Sequence, residues 1–558
     1  MARASPCQGE GRGFESRHPL HFNAELMQYP ETQRLVHIPS MQPGELKRWK
    51  YSRITVPIHA TQGWYPQTTE DIQAILQVAH FSNGKGDPVS VTTTAAGLAF
   101  GAQALPPDDP RTAHRWVMST KDLPKQVVVH PQTEEEYQKH IVRITASAGL
   151  SFRELHQCMD TEKHMHMPFN VPTADRITLG GALAANTLSR SSSLHGFFLD
   201  HVHAFTLVTP QGIFRCSPHA ADPLARDLFY AFPGSQGMFG CVTDLELDVQ
   251  QFPANRIIHT NVLDATGNLE KFANQITAHT RYNAAQVLNG KDPYWNKGVY
   301  AAFGGNPATR GRGYIYGSRE DGTKKHYGGF PLYADNLRND VRAQILGHAC
   351  PRIPQEAMRW IFTKDKSFHD PLYSFTYFQR SHPEARDNPG LLGKLFNHTL
   401  PVTQQTWIMQ PEHLCSFMEY MKQLLRTKRF KPVTTLIELQ DILLLPQSSA
   451  WMSPCHGARE SVAYTISVAS DTAGPQSHLI QEFLSRVSTY AFEHWHAKVH
   501  LLKETYCPDE LLREMYAPQL KRANEVREKV DPHHSIRSSL SDRLLGNGGS
   551  AGNRTQDQ

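Results

Sequence analysis

Three features found in many chains of this size are absent or scarce here. The eight cysteines lie far apart and form no C-x-x-C pair, which is typical of free thiols in a reducing compartment. No apolar run approaches the roughly 20 residues that a membrane-spanning helix needs, and the N-terminus carries charges instead of an apolar signal core. The net charge is only +4, which leaves no electrostatic footprint for nucleic-acid binding. We therefore expect a cytoplasmic protein that binds no nucleic acid and has no transmembrane segment.

The length and composition are those of a globular protein. With 558 residues, 39% hydrophobic and 20% charged, the chain has room for two or three domains and a sizeable core. Residues 1–40 are rich in Arg, Gly, Ser and Pro without periodicity, and residues 546–558 are polar and rich in Gly. We expect a disordered leader and a disordered tail at these two ends.

A run of small residues from Ile177 to Arg190 is the most informative stretch of the sequence. Gly180 and Gly181 are adjacent, and we expect them to leave backbone N–H groups bare. The small residues that follow would let an extended ligand, such as a dinucleotide diphosphate, lie along the main chain. An ordinary tight turn with a short helix behind it is the alternative interpretation.

The next segments favour the ligand. His201 to Val208 is predicted to be a strand, residues 209–212 a turn, and Ile213 to Cys216 the returning strand. A loop over residues 232–240 has glycines at every third position and leads into a strand from Cys241 to Val249. A glycine-rich loop that enters a strand directly brings its backbone close to a ligand.

The order of these segments resembles a known family. The residues that fall in its order with compatible spacing are Thr178, Gly180, Gly181, His195, Gly196, Gly212, Gly237, Gly240 and Thr243. They resemble the FAD-binding domain, of the type called PCMH, in the vanillyl-alcohol oxidase and p-cresol methylhydroxylase superfamily. The resemblance implies an α+β fold in which a PCMH-type FAD-binding domain of two subdomains precedes an α+β substrate, or cap, domain. It assigns FAD binding to Thr94, Gly97, Phe100, Gly101, Thr178, Leu179, Gly180, Gly181, Ala185, Asn186, Gly196, Gly240, Cys241 and Val242.

The first half of the same domain contains one departure from the family. Thr68 is a predicted N-cap with an acidic residue three positions on, and a strand from Pro88 to Thr92 runs into the loop 93–101. Relatives carry a Gly-x-Gly-x-Ser-x-Gly loop around the diphosphate here, whereas this chain has alanine in place of one glycine and of the serine. The loop contains no histidine, so the histidyl flavin linkage of some relatives has no attachment point, and we predict non-covalent FAD.

An alternating pair of histidines in Lys163–Met167, with Cys158 nearby, invites comparison with a metal site. A tetrahedral site needs a third and a fourth ligand at sensible spacing, and none is evident. We expect histidines of a strand and no metal.

The second half of the chain alternates strands and helices. It resembles sugar and aldonolactone oxidases of the superfamily, among them the decaprenylphosphoryl-ribose 2-oxidase group. We expect an FAD-binding domain over residues 41–255, a cap domain over residues 256–498 and a segment over residues 499–545 that returns to the flavin.

Two residues of this segment are candidate catalytic residues. Lys503 matches the active-site lysine of the oxidase group, and a cation there would stabilise the negative charge of reduced flavin. A surface lysine on an edge strand is the alternative. His500 stands where that group has a tyrosine at the flavin, and it would serve either as a base for a substrate hydroxyl or only as a stacking residue.

The resemblance implies an enzyme that acts on a small molecule. We expect an FAD-dependent oxidoreductase that oxidises an alcohol group of a sugar-like, polyol or lactone substrate by hydride transfer to flavin N5, with an unspecified electron acceptor. The oxidase group has a histidine-rich segment where this chain has Leu188–Ser193, so its specific sugar phosphate does not carry over. The alternatives are a flavoprotein for a lipid or aromatic alcohol and a scaffold protein without turnover, which binds flavin or lacks it.

Overall fold

The computed structural model contains three sheets and the helices that cover them. It describes residues 30–42, 46, 60–97, 99, 101, 105–107, 109, 112, 114–139, 141–152, 154–155, 158–159, 165–166, 177–189, 192–251, 255–264, 270–271, 273–278, 300–303, 312–321, 402–458, 460–469 and 475–546. The mixture of helices and sheets confirms the predicted α+β fold. No helix in these ranges is long and apolar enough to cross a bilayer.

The first sheet is small and parallel. Its strands are β1 (Gln62–Trp64), β2 (Val89–Thr94) and β3 (His114–Ser119), in the order β1-β3-β2. Helix α2 (Thr69–Gly84) connects β1 to β2, and the predicted capping box at Thr68 is present. Because the three strands are parallel, the loops that follow them meet at one edge of the sheet.

The chain is ordered earlier than the predicted leader allows. Helix α1 (Pro30–Leu35) precedes the first sheet, and Leu35 and Ile38 are buried in the same core as α2. Arg34 Nε donates to Asp71 Oδ1 at 2.7 Å. The prediction of disorder up to residue 40 is therefore wrong for residues 30–40, because two apolar side chains and one ion pair hold them against α2.

The second sheet is antiparallel and has the strand order β4-β5-β9-β7-β8, with β6 paired to β9. Its strands are β4 (Val127–Val129), β5 (Ile141–Ser147), β6 (Met165–His166), β7 (Val202–Thr209), β8 (Gly212–Cys216) and β9 (Cys241–Gln251). The helices around it are α3 (Glu134–Gln138), α4 (Leu179–Ala184), α5 (Ser192–His195) and α6 (Pro223–Ala231), with 3-10 turns at Thr120–Asp122 and Phe198–His201. The predicted hairpin of β7 and β8 is confirmed.

The third sheet belongs to the second half of the chain and is antiparallel. Its order is β10-β12-β11-β14-β15-β13-β16. The strands are β10 (Asn255–Asp264), β11 (Tyr300–Phe303), β12 (Arg312–Asp321), β13 (Val402–Met409), β14 (Ile437–Pro446), β15 (Glu460–Ala469) and β16 (Lys498–Val499). Helices α7 (Leu414–Arg426), α8 (Pro475–Trp495) and α9 (Asp509–Val530) accompany it, with 3-10 turns at Pro411–His413 and Lys431–Leu436. Strand β14 begins directly after the second of these 3-10 turns.

The C-terminal segment leaves the third sheet and reaches the first. After α9 the chain forms a parallel bridge between Ile536 and Val91 of β2. Helix α10 (Ser539–Leu545) follows, and Ser538 caps it. The last described residues therefore pack against the domain that contains the first sheet.

Candidate functional site

Unsatisfied hydroxyl groups lie where β2 ends. Thr93 and Thr94 are the last two residues of this strand, and among the described residues the Oγ1 atom of each is buried without a hydrogen-bond partner. The Thr94 carbonyl accepts a hydrogen bond from Thr120 Oγ1 at 3.3 Å, just after β3. Buried polar atoms are normally paired, and ligands of α/β sheets bind outside the carboxyl ends of parallel strands.

The loop between α6 and β9 brings further polar atoms to this place. Gln236 has a φ of 57°, and its N–H donates to the Ala184 carbonyl at 2.8 Å, which fixes the loop to the end of α4. Ser235 Oγ and Gln236 Nε2 are also buried without a partner among the described residues. Thr93, Gln236 and Gly237 line a small cleft.

The glycine pair at the start of α4 does not have the bare N–H groups that we expected. Gly180 N–H donates to the Ala148 carbonyl at 2.9 Å, and Gly181 N–H donates to Thr178 Oγ1 at 3.3 Å. Thr178 is the N-cap of α4. The expectation was wrong because Ala148, directly after β5, accepts the N–H of Gly180, and the N-cap Thr178 accepts that of Gly181.

The two glycines differ in what surrounds them. A Cβ at Gly180 would lie 3.0 Å from Ala148 Cβ and 3.3 Å from its carbonyl oxygen, so this glycine allows α4 to pack on β5. A Cβ at Gly181 would meet only Thr178 Oγ1 within 4 Å among the described atoms outside the helix backbone, at 3.0 Å. Gly181 is also exposed. The surface over Gly181 is therefore open to a ligand, whereas that over Gly180 is closed.

Three other predicted cofactor residues have structural roles. Asn186 has a φ of 42°, receives the Leu199 N–H on Oδ1 at 3.2 Å and donates from Nδ2 to Ser448 Oγ at 3.1 Å. A Cβ at Gly196, where φ is +72°, would lie 2.1 Å from Asp200 Oδ2. A Cβ at Gly240 would lie 2.2 Å from the Val208 carbonyl oxygen. These residues shape the domain, and any contact of theirs with a ligand stays a prediction.

The remaining predicted contacts lie in the core or in the loop after β2. Ala185, Cys241 and Val242 are buried, and burial raises the pKa of the Cys241 thiol to about 12. Leu179 is fully buried in the core under α4. Gly97, with a φ of +66°, and Gly101 are in the loop after Thr94. Phe100 lies outside the described residues.

A comparison with protein families identifies the cofactor of this part of the chain. Residues 64–217 match the family of the FAD binding domain. The chain binds FAD. A search of curated proteins finds no match. The match ends before Gly240, Cys241 and Val242 and before the whole second half of the chain.

The described residues fit a flavin dinucleotide. Thr93 Oγ1, Thr94 Oγ1, Ser235 Oγ and Gln236 Nε2 offer hydrogen bonds that nothing in the described protein uses. The open surface of Gly181 adds room for an extended group beside α4. FAD is rich in phosphate, ribose and ring acceptors, so it can pair with groups of this kind.

Lys121 is a nearby cation that sequence reasoning missed. It follows Thr120 at the same edge of the first sheet, and its Nζ lies 4.3 Å from the centre of the Tyr65 ring. Tyr65 comes directly after β1, so residues after all three parallel strands meet here. A lysine in a short 3-10 turn gives no sequence signal, and only the parallel pairing of the strands brings it to this edge.

His500 is buried and has a defined geometry. The backbone N–H of His500 donates to the Thr406 carbonyl at 2.9 Å. The ring atom Nδ1 accepts the backbone N–H of Leu502 at 3.0 Å. Burial, and to a lesser degree the charge of Lys503, lowers the pKa of His500 to about 3. The neutral ring therefore carries its proton on Nε2, so this geometry favours a hydrogen-bond donor and argues against the predicted base.

Lys503 lies close to His500, in the turn after β16. The backbone N–H of Lys503 donates to the His500 carbonyl at 3.2 Å. The residue is partly buried. The chain has left the strand at this point, so Lys503 is not the edge-strand lysine of the alternative interpretation. Glu504, which follows, is 6% exposed, and its N–H donates to the Gln404 carbonyl at 2.9 Å.

One face of the third sheet carries two polar rows beside His500. Residues directly opposite each other in an antiparallel pair share a face. One row places Thr406 opposite Thr465 and Thr465 opposite Asp441. Thr406 Oγ1 and Thr465 Oγ1 are 2.7 Å apart. The backbone N–H of His500 donates to the Thr406 carbonyl, so His500 lies next to the Thr406 end of this row.

The second polar row is built in the same way. Gln404 lies opposite Ser467, and its Nε2 donates to Ser467 Oγ at 2.8 Å. Both residues are buried. Glu504 continues this row through its backbone bond to Gln404.

An apolar row on the same face meets the FAD-binding domain. Ile408, Leu443 and Ala463 pack there with Phe197, and Leu188 lies against them. Helix α5 packs on β14 at this contact. The polar rows therefore lie next to the place where the second half of the chain covers the FAD-binding domain. The run of four polar residues in β13 is visible in the sequence, but the partners that complete the rows are more than 30 residues away.

The candidate metal segment is only partly described. His166 is in β6, which pairs with β9, whereas residues 163, 164 and 167 lie outside the described residues. Among the residues that the structure describes, no three His, Cys, Asp or Glu side chains form a group that could hold a metal ion.

Proposed function

We propose that this flavoprotein oxidises an alcohol group of a sugar-like, polyol or lactone substrate, with the polar face of the third sheet as its binding surface. The FAD binding domain supports a flavin-dependent oxidoreductase. The two rows of hydroxyl and amide groups, made by Thr406, Thr465, Gln404 and Ser467, carry the more specific proposal. Such groups donate and accept hydrogen bonds, as the hydroxyl groups of a polyol require.

Oxidation of an alcohol removes a hydride from carbon and a proton from oxygen. When bound, FAD accepts the hydride at N5. The proton needs an acceptor, and Asp441, opposite Thr465 in the first polar row, is our candidate in place of His500. His500 would donate from Nε2 to a substrate oxygen, and Lys503 would hold a positive charge beside the site.

The apolar row supports a second candidate substrate class. Ile408, Leu443 and Phe197 are adjacent to the polar rows on the same face, which would suit a substrate with an apolar group next to its alcohol. A lipid or aromatic alcohol is therefore the second candidate. A scaffold without turnover would use neither row.

An anaerobic panel of candidate substrates tests the proposal. The panel contains polyols, aldonolactones, prenylphosphate sugars and, as the competing class, long-chain and benzylic alcohols, each mixed with the FAD-loaded protein. We expect a polyol, lactone or sugar to bleach the flavin absorbance. Bleaching only by the long-chain or benzylic alcohols would favour the second candidate, and no bleaching by any member would favour the scaffold.

We predict that the FAD is not covalently attached. The loop over residues 93–101, which follows β2, contains no histidine. Acid precipitation of the purified protein should therefore release the yellow cofactor into the supernatant. Flavin that remains with the protein pellet after repeated washing would show a covalent bond at another residue.

A cytoplasmic location is also part of the proposal. The six described cysteines, at positions 158, 216, 241, 415, 455 and 507, form no disulfide bond. Burial raises the pKa of both Cys455 and Cys507 to about 12, which keeps these thiols protonated and unreactive. Free thiols in this number are typical of a reducing compartment.

A further inference from the structure

The segment after α9 forms an additional edge on the first sheet. Val91 N–H donates to the Ser535 carbonyl at 2.7 Å, and Arg537 N–H donates to the Val91 carbonyl at 3.0 Å. Thr92 Oγ1 donates to the Arg537 carbonyl at 2.7 Å. These bonds lie two to three residues before Thr94, where β2 ends and the loop with Gly97 begins.

The same segment holds the far end of that loop. Ser539 N–H donates to the Leu105 carbonyl at 2.9 Å, and Ser539 Oγ donates to the Pro106 carbonyl at 2.6 Å. Arg537 Nη1 donates to Thr112 Oγ1 at 3.1 Å. Residues 535–539 therefore form hydrogen bonds with the chain both before Gly97 and after Gly101.

The contacts between this segment and the loop include a buried ion-pair cluster. Arg537 Nη2 lies 2.9 Å from Asp109 Oδ2 and 2.6 Å from Asp542 Oδ2, and Arg537 Nε donates to Asp542 Oδ1 at 2.9 Å. The side chains are 13%, 3% and 5% exposed for Arg537, Asp109 and Asp542. Removing one partner of a buried pair leaves a charge that water cannot reach. Only Asp109 belongs to the loop; Asp542 belongs to the same C-terminal segment as the arginine.

The backbone that presents Arg537 is itself fixed. Asp531, which is fully buried, accepts the N–H groups of Ser535 and Ile536 at 2.9 and 2.8 Å and the Ser535 hydroxyl at 2.8 Å. A side chain anchored in this way can set the position of a loop instead of following it.

We propose that Arg537 is a positioning residue for FAD, which it serves by holding Asp109 in the loop between β2 and β3. The loop follows the unsatisfied hydroxyls of Thr93 and Thr94. Arg537, Ser538 and Ser541 line the same cleft as Thr93. FAD binding then depends on a segment more than 300 residues beyond the matched domain.

Two asparagine variants on either side of one arginine test this proposal. Asp109→Asn removes the ion pair between Arg537 and the loop but leaves the hydrogen bonds to Leu105, Pro106 and Thr112. Asp542→Asn removes an equally buried carboxylate that is not part of the loop. Apoprotein is titrated with FAD, the quenching of flavin fluorescence is followed, and thermal unfolding of each apoprotein is measured in parallel. We expect the Kd for FAD to rise about tenfold or more in Asp109→Asn, which is about 1.4 kcal/mol, and to stay within about threefold of wild type in Asp542→Asn.

A merely structural role makes a different prediction. It would raise the Kd of both variants in proportion to their losses of Tm, and that result would overturn the proposal, as would an unchanged Kd in Asp109→Asn. Should Asp109→Asn yield no folded protein, Arg537→Lys replaces it, since lysine keeps the charge but cannot reach both carboxylates with a planar fork. A folded Arg537→Lys protein with wild-type affinity for FAD would equally overturn the proposal.

Discussion

Lys503→Ala is expected to fold, to retain FAD and to lose roughly a hundredfold in the rate of flavin reduction by substrate. The residues that fit FAD lie along β2, α4 and the 232–240 loop, so one lysine after β16 adds little to cofactor affinity. Negative charge develops on the flavin only as the hydride arrives. An interaction confined to the transition state lowers the rate without lowering binding. Loss of one preorganised charge in a dry site costs on the order of 3 kcal/mol, which corresponds to the predicted factor.

Anaerobic stopped-flow bleaching, with the best substrate from the panel, measures this effect. Lys521→Ala is the matched control, because Lys521 is an exposed residue of α9, and we expect its rate to equal that of wild type. A Lys503→Ala rate within about threefold of wild type would show that this lysine has no part in the chemistry. Loss of FAD from Lys503→Ala would instead place it in cofactor binding.

Gly181→Val is expected to produce a folded protein that no longer binds FAD. Within 4 Å, a Cβ at this position meets only Thr178 Oγ1 among the described atoms outside the helix backbone, so the fold accommodates most of the new side chain. The branched side chain would then occupy the open surface beside α4 that we assign to the cofactor. Flavin content per protein after purification with excess FAD, together with the circular dichroism spectrum, measures both parts of the prediction.

Two further substitutions distinguish a loss of space for the cofactor from a loss of the fold. Gly181→Ala adds only the Cβ and should retain most of the flavin, since alanine also suits a helix better than glycine. Gly240→Ala should fail to fold, because its Cβ would lie 2.2 Å from the Val208 carbonyl oxygen. A yellow Gly181→Val protein with wild-type flavin content would place the cofactor elsewhere.

Local chemistry made parts of the FAD-binding domain predictable. The capping box at Thr68 involves residues only three positions apart, and it is present in the structure. The hairpin of β7 and β8 follows from a turn sequence between two alternating strands. These features depend on neighbours in the chain, so a sequence pattern is enough to indicate them.

Features that depend on distant partners could not be predicted. The acceptor for the Gly180 N–H is Ala148, at the end of another strand, and the partner of Asp109 is Arg537. The helix α1 appeared to be part of a featureless leader because its ion pair with Asp71 joins residues 37 positions apart. In each case the sequence shows one member of a contact and only the fold selects the other.

The candidate site also has features that the sequence indicates and features that only the structure shows. Lys503 and His500 were found through a resemblance, but the bond from Leu502 N–H to His500 Nδ1, which changes the expected role of the imidazole, required the structure. The polar rows of the third sheet required its strand register.

The visible absorption spectrum of the purified protein, recorded before and after equilibration with FAD, tests the central claim most directly. A flavoprotein of the proposed kind shows the two visible flavin bands, either as purified or after FAD is added and the excess removed. The match of residues 64–217 to an FAD binding domain and the unsatisfied groups at Thr93, Thr94 and Gln236 predict this result. A colourless, folded protein that takes up no added FAD would contradict the account.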